Sequence, residues 1–226
     1  MKIAVIPARI GSKRIKKKNI KILNGKPLIY YSIEAAKRTR IFDKIYVSTD
    51  SEEIKKISKR FGAEVPFKRP NKLSDDYTST KDVIKHTINW CEANKIYPKY
   101  VCCIYPAAPF INYKNIIKSY QLLKKNNYNF IFSATKFQSS VLRSFYLEKK
   151  KLKKIFPKFS NYRSQKLYNC YYDAGQFYWG SIKSWMQKEI FSKNSGFIEV
   201  PVLEGFDLNT QEDWKNIIKL NKIHRI

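Results

Sequence analysis

Acidic residues and glycine are scarce in this chain. It has 18 Asp and Glu against 45 Lys and Arg, a formal net charge of +27, and only 7 glycines in 226 residues. A basic surplus of this size often indicates a nucleic-acid-binding protein. Here the basic residues are mostly Lys spread along the chain, without clustered Arg or a recognised binding motif, so we predict no specific nucleic-acid partner. The surface should still bind polyanions non-specifically at low salt.

Long apolar runs and paired cysteines are missing as well. No run of ~18 apolar residues occurs, so we predict no membrane span. The chain enters a strand directly, without the charged and apolar segments of a signal peptide. Its 4 cysteines form no Cys-x-x-Cys pair, and only 2 histidines are present. These features argue against a zinc site and indicate a reducing, cytoplasmic location.

The two familiar phosphate-binding patterns, the P-loop and Gly-x-Gly-x-x-Gly, are also absent. The first apolar run, residues 3–6, leads instead into a basic loop. That loop holds one glycine, one hydroxyl and several cations: Arg9, Gly11, Ser12, Lys13 and Lys18. Ligands of open α/β sheets bind at the carboxyl ends of strands, and this composition suits a polyphosphate. A Lys run is also typical of a solvated face, so the residue types alone leave both interpretations open.

Strand and helix patterns alternate along most of the chain. The predicted strands are 3–6, 45–47, 63–67, 100–104, 129–135 and 198–202, and the predicted helices include 27–40, 52–61, 113–125 and 211–223. This order predicts one α/β domain over residues 1–226, with a mostly parallel sheet and helices on both faces. Residues 136–172 differ from the rest, because they lack glycine and are rich in Lys and aromatic residues.

The chain reads Ile-Pro-Ala-Arg-Ile-Gly-Ser-Lys-Arg over residues 6–14, and Lys18-Asn19 follow shortly after. This segment resembles the nucleotide-binding signature of the CMP-sugar-acid synthetases. The resemblance covers nearly the whole chain, and the segment 173–178, Asp-Ala-Gly-Gln-Phe-Tyr, is similar to the pseudaminate branch. It implies a Rossmann-like fold of the nucleotide-diphospho-sugar transferase type. It also implies transfer of CMP from CTP to the anomeric hydroxyl of a nonulosonic acid, foremost pseudaminic acid. N-acetylneuraminate, legionaminate and deoxyoctulosonate are the rival acceptors, and a non-catalytic relative is a further alternative.

The resemblance implies roles for three cations and for the residues around them. Arg9, Lys13 and Lys18 would act in catalysis by stabilising the triphosphate and the departing pyrophosphate. The nucleotide would contact Ala8, Arg9, Gly11, Ser12, Lys13, Asn19, Arg69, Asp76 and Ser79. Ile10 departs from the family, whose loops usually carry a small or polar residue there. Without the resemblance, the stretch 68–80 also suits a polar loop with an Asp or Ser helix cap.

The predicted sugar-acid contacts are Tyr105, Arg163, Gln165 and Gln176. Tyr105 follows a continuously apolar strand, whose carboxyl end should face a ligand. A cationic fork and amides suit a carboxylate and hydroxyls, although Arg163 and Gln165 also fit an ordinary surface loop.

The resemblance also implies a Mg²⁺ ion held by Asp207 and Asn209. The family carries a second Asp where Asn209 stands, so this chain keeps an oxygen ligand there but loses a charge. One or two carboxylates with substrate phosphates usually suffice for Mg²⁺. As an isolated signal, Asp207 before Thr210 equally suits a helix-capping turn.

The resemblance implies, finally, that residues 136–172 form an arm that contacts a second subunit and the sugar acid. We therefore predict a symmetric homodimer, the commonest oligomeric state.

Overall fold

A computed structural model describes residues 1–205 and 208–224, with side chains as far as Leu220 in the last helix. The strands are β1 (Lys2–Pro7), β2 (Ile22–Leu23), β3 (Lys26–Pro27), β4 (Lys44–Ser48), β5 (Tyr100–Ile104), β6 (Phe130–Lys136), β7 (Phe145–Glu148), β8 (Lys151–Lys154), β9 (Tyr171–Ser181) and β10 (Ser195–Glu199). The helices are α1 (Leu28–Thr39), α2 (Glu52–Arg60), α3 (Thr80–Ala93), α4 (Tyr113–Lys125), α5 (Ile182–Gln187) and α6 (Gln211–His224). Within the described residues, no helix combines the length and the apolar character needed to cross a membrane.

Six strands form the central sheet in the order β10-β6-β9-β5-β1-β4. β1 pairs in parallel with β4 and β5, and β10 pairs in parallel with β6. β9 runs antiparallel between β5 and β6. The predicted mostly parallel α/β sheet is therefore confirmed, and β9 is the antiparallel exception.

Alternate side chains of β1 supply the two faces of the sheet. Ile3 and Val5 are fully buried against α3 and α5, whereas Ala4 and Ile6 are fully buried against α1 and α4. This period of two is what a strand covered on both faces requires. The core confirms the prediction of helices on both faces.

Two buried tryptophans fix helices to the sheet. Trp179 of β9 donates its indole N–H to the Ile116 carbonyl of α4 at 3.0 Å. Trp185 of α5 donates to the Val101 carbonyl of β5 at 3.1 Å. A Cβ at Gly180 would lie 2.6 Å from a ring carbon of Phe130, so this strand position has no room for a side chain.

The chain departs from two predicted strands, and each contains a proline. The prediction of a strand at 63–67 is wrong, because this segment makes an isolated bridge from Glu64 to Tyr46 of β4 and no ladder. Pro66 lacks the N–H that a ladder needs. The late strand ends at Glu199 rather than 202, and the turn that follows begins around Pro201.

The C-terminal helix returns to the loop that follows β1. Leu208, Trp214 and Ile217 pack in one buried cluster with Ile15 and Leu28. The Lys18 ammonium also donates to the Leu208 carbonyl at 2.8 Å, across 190 positions of sequence. These contacts place the segment before α6 beside the basic loop.

Residues 136–172 leave the sheet as an arm between β6 and β9. Lys136 pairs with Tyr171, and the Phe137 N–H donates to the Cys170 carbonyl at 3.0 Å, which closes the base of the arm. Farther out, β7 and β8 form an antiparallel hairpin in which every residue is exposed.

Candidate nucleotide-binding site

A cavity of about 420 Å³ opens where β1 and β5 end. The loop after β1, residues 69–83, the end of β5 and the segment before α6 form its walls. The predicted site residues in its wall are Arg9, Ser12, Lys13, Lys18, Asn19, Arg69, Asp76, Tyr105 and Asn209. Four segments that are far apart in sequence thus meet at the carboxyl edge of the sheet, where ligands of open α/β sheets bind.

Hydrogen bonds from the sheet hold the basic loop in shape. The Ala8 N–H donates to the Ser48 carbonyl at 2.9 Å, and the Ile10 N–H donates to Asp50 Oδ1 at 3.1 Å. Asn19 donates its amide to the Arg9 carbonyl at 2.8 Å. Ala8 is therefore fully buried behind the cavity wall.

The surroundings of Gly11 are open. A Cβ built there would meet no atom within 4 Å, so nothing in the protein itself demands a glycine. The predicted reason for a glycine at position 11 is a close approach of the backbone to a ligand, and that reason applies only when a ligand is bound.

Two of the predicted phosphate-binding cations are paired with Asp76. Arg9 Nη2 lies 2.6 Å from Asp76 Oδ1, and Lys13 Nζ lies 2.5 Å from Oδ2. Hydrogen bonds from Lys13 and Arg9 hold the pKa of Asp76 below its ordinary value. The carboxylate therefore stays ionised at neutral pH and competes with any phosphate for both cations.

Arg69 presents a buried guanidinium to the cavity. Its side chain is 3% exposed, and Nε donates to Ser74 Oγ at 3.1 Å. Nη2 lies 3.9 Å from Asp50 Oδ1 and has no hydrogen-bond partner within the described residues. Burial lowers the pKa of Arg69, and the Asp50 carboxylate opposes that shift. An unpaired buried N–H is costly, and an acceptor on a ligand would remove that cost.

Tyr105 forms the wall at the end of β5. Its N–H donates to the Gln176 carbonyl at 2.8 Å, and its carbonyl accepts the Ser32 hydroxyl at 2.6 Å. Its phenol oxygen lies 2.9 Å from Thr80 Oγ1. Burial raises the pKa of Tyr105 to about 12, so the cavity meets a neutral phenol.

Ser79 and Gln176 do not line this cavity. The exposed Ser79 hydroxyl accepts the Asp82 N–H at 3.1 Å and caps α3, which is the structural role that its position also suggested. Gln176 is 2% exposed, and its Nε2 donates to the Glu204 carbonyl at 2.5 Å. The Gln176 amide, which we expected to contact the sugar acid, is therefore hydrogen bonded to a turn instead.

Arg163 and Gln165 also lie outside the cavity wall. Both are exposed, at or within the short 3-10 turn Ser164–Lys166 of the arm. Within one chain, therefore, the structure does not bring the arm residues to the basic loop's cavity.

Asn209 belongs both to the cavity wall and to a helix cap. The Asn209 and Thr210 N–H groups donate to Asp213 Oδ2 at 2.9 and 2.6 Å. Thr210 Oγ1 in turn accepts the Asp213 N–H at 3.1 Å, which completes a reciprocal cap of α6. The cap is formed by Thr210 and Asp213, while the capping alternative for Asp207 lies outside the described residues, and Asn209 also lines the cavity.

Asp207, the other predicted metal ligand, lies outside the described residues. Within 1–205 and 208–224, no cluster of three His, Cys, Asp or Glu is arranged to hold a metal. Mg²⁺ is usually held by one or two carboxylates together with substrate phosphates. An amide oxygen at Asn209, in the same wall as Lys18, fits an ion of that kind.

Sequence reasoning missed Asp50 and Thr80 as site residues. The helix cap beside Asp50 is Ser51, which accepts the Ile54 N–H at 3.3 Å. Asp50 instead supports the loop after β1 and faces Arg69. The position of Asp50 could have indicated this role, because Asp50 follows β4 and β4 lies beside β1 in the sheet. Thr80 had no such signal, since its contact with Tyr105 depends on how α3 packs.

The fold and the position of this cavity are those of an α/β protein with a basic site at the carboxyl edge of its sheet. The family model described as cytidylyltransferase matches residues 3–222, and the chain belongs to that family.

Individual relatives agree with this assignment. The chain is 42% identical to the pseudaminic acid cytidylyltransferase of Campylobacter jejuni strain 81-176, over 93% of this chain and 92% of that protein. It is 39% identical to the N-acylneuraminate cytidylyltransferase of Escherichia coli O18:K1:H7, over 59% of this chain and 31% of that protein. A structure of CMP:2-keto-3-deoxy-manno-octonic acid synthetase complexed with CTP aligns with a TM-score of 0.75 over 99% of both chains. At 16% identity, that last likeness concerns the fold alone.

Proposed function

We propose that this cytidylyltransferase moves CMP from CTP to the anomeric hydroxyl of pseudaminic acid, a nonulosonic acid. One observation carries the proposal: a cavity walled by cations at the carboxyl edge of the sheet, in a chain similar over almost its full length to a pseudaminic acid cytidylyltransferase. Cytidylyl transfer needs positioning and neutralisation of a triphosphate more than it needs a dedicated base.

In the proposed reaction, the anomeric oxygen attacks the α-phosphorus in line. The bond from that phosphorus to the bridging oxygen breaks, pyrophosphate leaves with the oxygen, and the hydroxyl proton is released. Arg9, Lys13 and Lys18 stabilise the triphosphate and the leaving pyrophosphate by charge-assisted hydrogen bonds. Arg69 and Asn19 position the nucleotide, and Tyr105 contacts the sugar acid.

We include Mg²⁺ in the proposal, with Asn209 and Asp207 as its protein ligands beside the phosphates. Such an ion neutralises phosphate charge and lowers the pKa of a bound hydroxyl. The Asn209 side chain would supply a neutral oxygen to this ion, and the hydrogen bond from its N–H to Asp213 holds its backbone in place.

The test is pyrophosphate release by purified protein with CTP and Mg²⁺. The panel of acceptors consists of pseudaminate, N-acetylneuraminate, legionaminate and deoxyoctulosonate. We expect release with pseudaminate at the highest kcat/KM, and none when UTP replaces CTP. Preference for another acid would overturn the assigned acceptor, whereas inactivity with all four would favour a non-catalytic relative.

We also propose that the arm joins two copies of this chain. Leu147 and Leu152 face each other across the hairpin and are 71% and 56% exposed, and Phe145 on the same side is 60% exposed. A second copy would cover this apolar face and could bring Arg163 and Gln165 to the neighbouring cavity. Sedimentation should show a dimer that Leu147→Lys dissociates and Glu148→Lys, on the opposite side, does not. A monomeric wild type would contradict the proposal.

The reducing cytoplasm is the proposed location. Cys91, Cys102 and Cys103 are buried free thiols, and burial raises the pKa of Cys91 to about 11, so these groups stay protonated. Cell fractionation with an antibody to the protein would test the location, and recovery from an oxidising compartment would contradict it.

A further inference from the structure

One carboxylate bridges two of the cations in the cavity wall. Asp76 Oδ1 lies 2.6 Å from Arg9 Nη2, and Asp76 Oδ2 lies 2.5 Å from Lys13 Nζ. All three residues line the cavity. The carboxylate therefore binds both cations at once, one oxygen to each, as a phosphate group of a ligand would.

Asp76 is carried by a turn that its neighbour Asp75 holds together. Asp75 Oδ1 accepts the Tyr77 N–H at 3.1 Å, the Thr78 N–H at 2.7 Å and the Thr78 hydroxyl at 2.6 Å. Ser79 caps α3 directly after the turn. None of these bonds uses the Asp76 side chain, so the turn can keep its shape when that carboxylate leaves the two cations.

The other cations of the wall are engaged differently. Lys18 donates to the carbonyl of Leu208, a neutral partner that leaves its charge in place. Arg69 faces Asp50, whose carboxylate is 16% exposed and is held by a backbone N–H of the basic loop. The Asp76 side chain is 31% exposed and lies on an exposed turn. Asp76 is therefore better placed than Asp50 to be displaced by an incoming anion.

An anionic ligand must compete with this carboxylate. Two anions that share the same pair of cations repel each other at a distance of a few Å. A triphosphate that reaches Arg9 and Lys13 consequently drives Asp76 away from them. When the phosphates leave, Asp76 returns, so the cations are not left with water alone. The exchange weakens the binding of every phosphate ligand at these cations, a product as much as a substrate.

We propose that Asp76 is a displaceable counter-anion whose return to Arg9 and Lys13 promotes the release of pyrophosphate. This inference rests on the proposed function, since it takes pyrophosphate to be the product that these cations hold. Asp76 is a positioning residue that acts through the two cations. The role has a definite sign: removing a contact with a ligand weakens binding, whereas removing a competitor strengthens it.

Asp76→Asn tests that sign, because it keeps the size of the side chain and removes its charge. Calorimetric titration of inorganic pyrophosphate, with Mg²⁺ present, measures the affinity without turnover. Partly exposed ion pairs each change an equilibrium constant by a few-fold, so we expect pyrophosphate to bind about 3- to 10-fold more tightly. The gain should shrink as the salt concentration rises. The inhibition constant of pyrophosphate in initial-rate assays should fall by the same factor.

Glu53→Gln is the matched control. Glu53 Oε2 lies 2.7 Å from Lys17 Nζ, so this change also removes one negative charge from an ion pair of the basic stretch. Neither residue lines the cavity. Pyrophosphate should bind this variant within about twofold of wild type. An equal gain in both variants would show an effect of net charge alone and would overturn the proposal.

The remaining outcomes also decide. Unchanged or weaker pyrophosphate binding in Asp76→Asn would overturn the role of counter-anion, and a lowered melting temperature with it would make Asp76 a structural residue. Asp76→Ser, which removes the charge with a residue that suits turns, should tighten binding as well. The titration needs no sugar acid, so its failure is distinct from that of the proposed function. A wild type that binds pyrophosphate but releases none from CTP with any acceptor would overturn the proposed function, and the role in product release with it.

Discussion

Arg69→Lys tests whether the buried guanidinium serves the nucleotide. The side chain is 3% exposed, and Nη2 has no hydrogen-bond partner within the described residues. Lysine keeps the positive charge near Asp50 but cannot place a second donor where Nη2 lies. The substitution therefore removes one donor to the ligand and leaves the long-range attraction for phosphate almost unchanged.

The expected size of the effect follows from that single contact. A hydrogen bond from a charged donor contributes about 1.5–3 kcal/mol, so CTP should bind about 10- to 150-fold more weakly. The free protein should change little in stability. It loses the 3.1 Å bond from Nε to Ser74, worth about 1 kcal/mol, and is relieved of a buried N–H that had no acceptor.

Calorimetric titration of CTP into wild type and variant measures the affinity, and thermal melting without CTP measures the stability. Arg60→Lys on the exposed end of α2 is the matched control and should bind CTP like wild type. If Arg69→Lys binds CTP within twofold of wild type, Nη2 does not contact the nucleotide and the reasoning fails. If the melting temperature collapses instead, Arg69 is a structural residue.

Four further substitutions have directions set by the structure. Arg9→Ala should lower kcat/KM by about a hundredfold or more in initial-rate assays, since one preorganised charge contact is worth ~3 kcal/mol. Asp76→Asn releases Arg9 and Lys13, so the KM for CTP should fall, most clearly at low salt; a higher KM would show that Asp76 itself contacts the nucleotide. Asn209→Asp should lower the Mg²⁺ concentration for half-maximal activity, and an unchanged titration would exclude Asn209 as a ligand. Gly180→Ala should cost about 1–3 kcal/mol in a denaturant melt because its Cβ would lie 2.6 Å from a buried ring of β6, and an unchanged midpoint would show that the ring moves aside.

The pH dependence of the Asp76 ion pairs has a definite sign. Lys13 and then Arg9 lower the pKa of Asp76, so the folded protein releases this proton more readily than the unfolded chain does. Any stability from these pairs is present above the ordinary carboxyl pKa and disappears as the pH falls through the lowered value. Asp76 does not change its charge between pH 6 and 8, so its titration should contribute nothing to the pH dependence of the affinity for CTP in that range. A titration of CTP binding across that range, in wild type and Asp76→Asn, checks this expectation.

Apolar runs were enough to predict the centre of the sheet. β1 and β5 are continuously apolar, so their burial on both faces followed from composition. The location of the cations after β1 was predictable as well, because a loop at the end of a central strand must lie at the carboxyl edge of the sheet. Their pairing with Asp76 was not, since it joins residues more than sixty positions apart and depends on how 69–80 folds over the loop.

The direction of individual side chains was the second feature that could not be predicted from the sequence. Nothing in the order of residues shows that Gln176 bonds the Glu204 carbonyl instead of facing the cavity. Gly175 lies where the register of β9 shifts, and the meeting of Asp173 and Tyr178 across that bulge needed coordinates. The sequence pattern at 63–67 suggested a strand, and the missing N–H of Pro66 kept it to an isolated bridge.

The position of β9 has a consequence for how this protein is made. β5 and β6 are not neighbours in the sheet, because β9 lies between them and is translated only after the whole arm. A growing chain on the ribosome therefore holds one unpaired edge of β5 and both edges of β6 until synthesis has passed Ser181. Closure of the sheet is a late event in translation, and the nascent chain must be kept from aggregating until then.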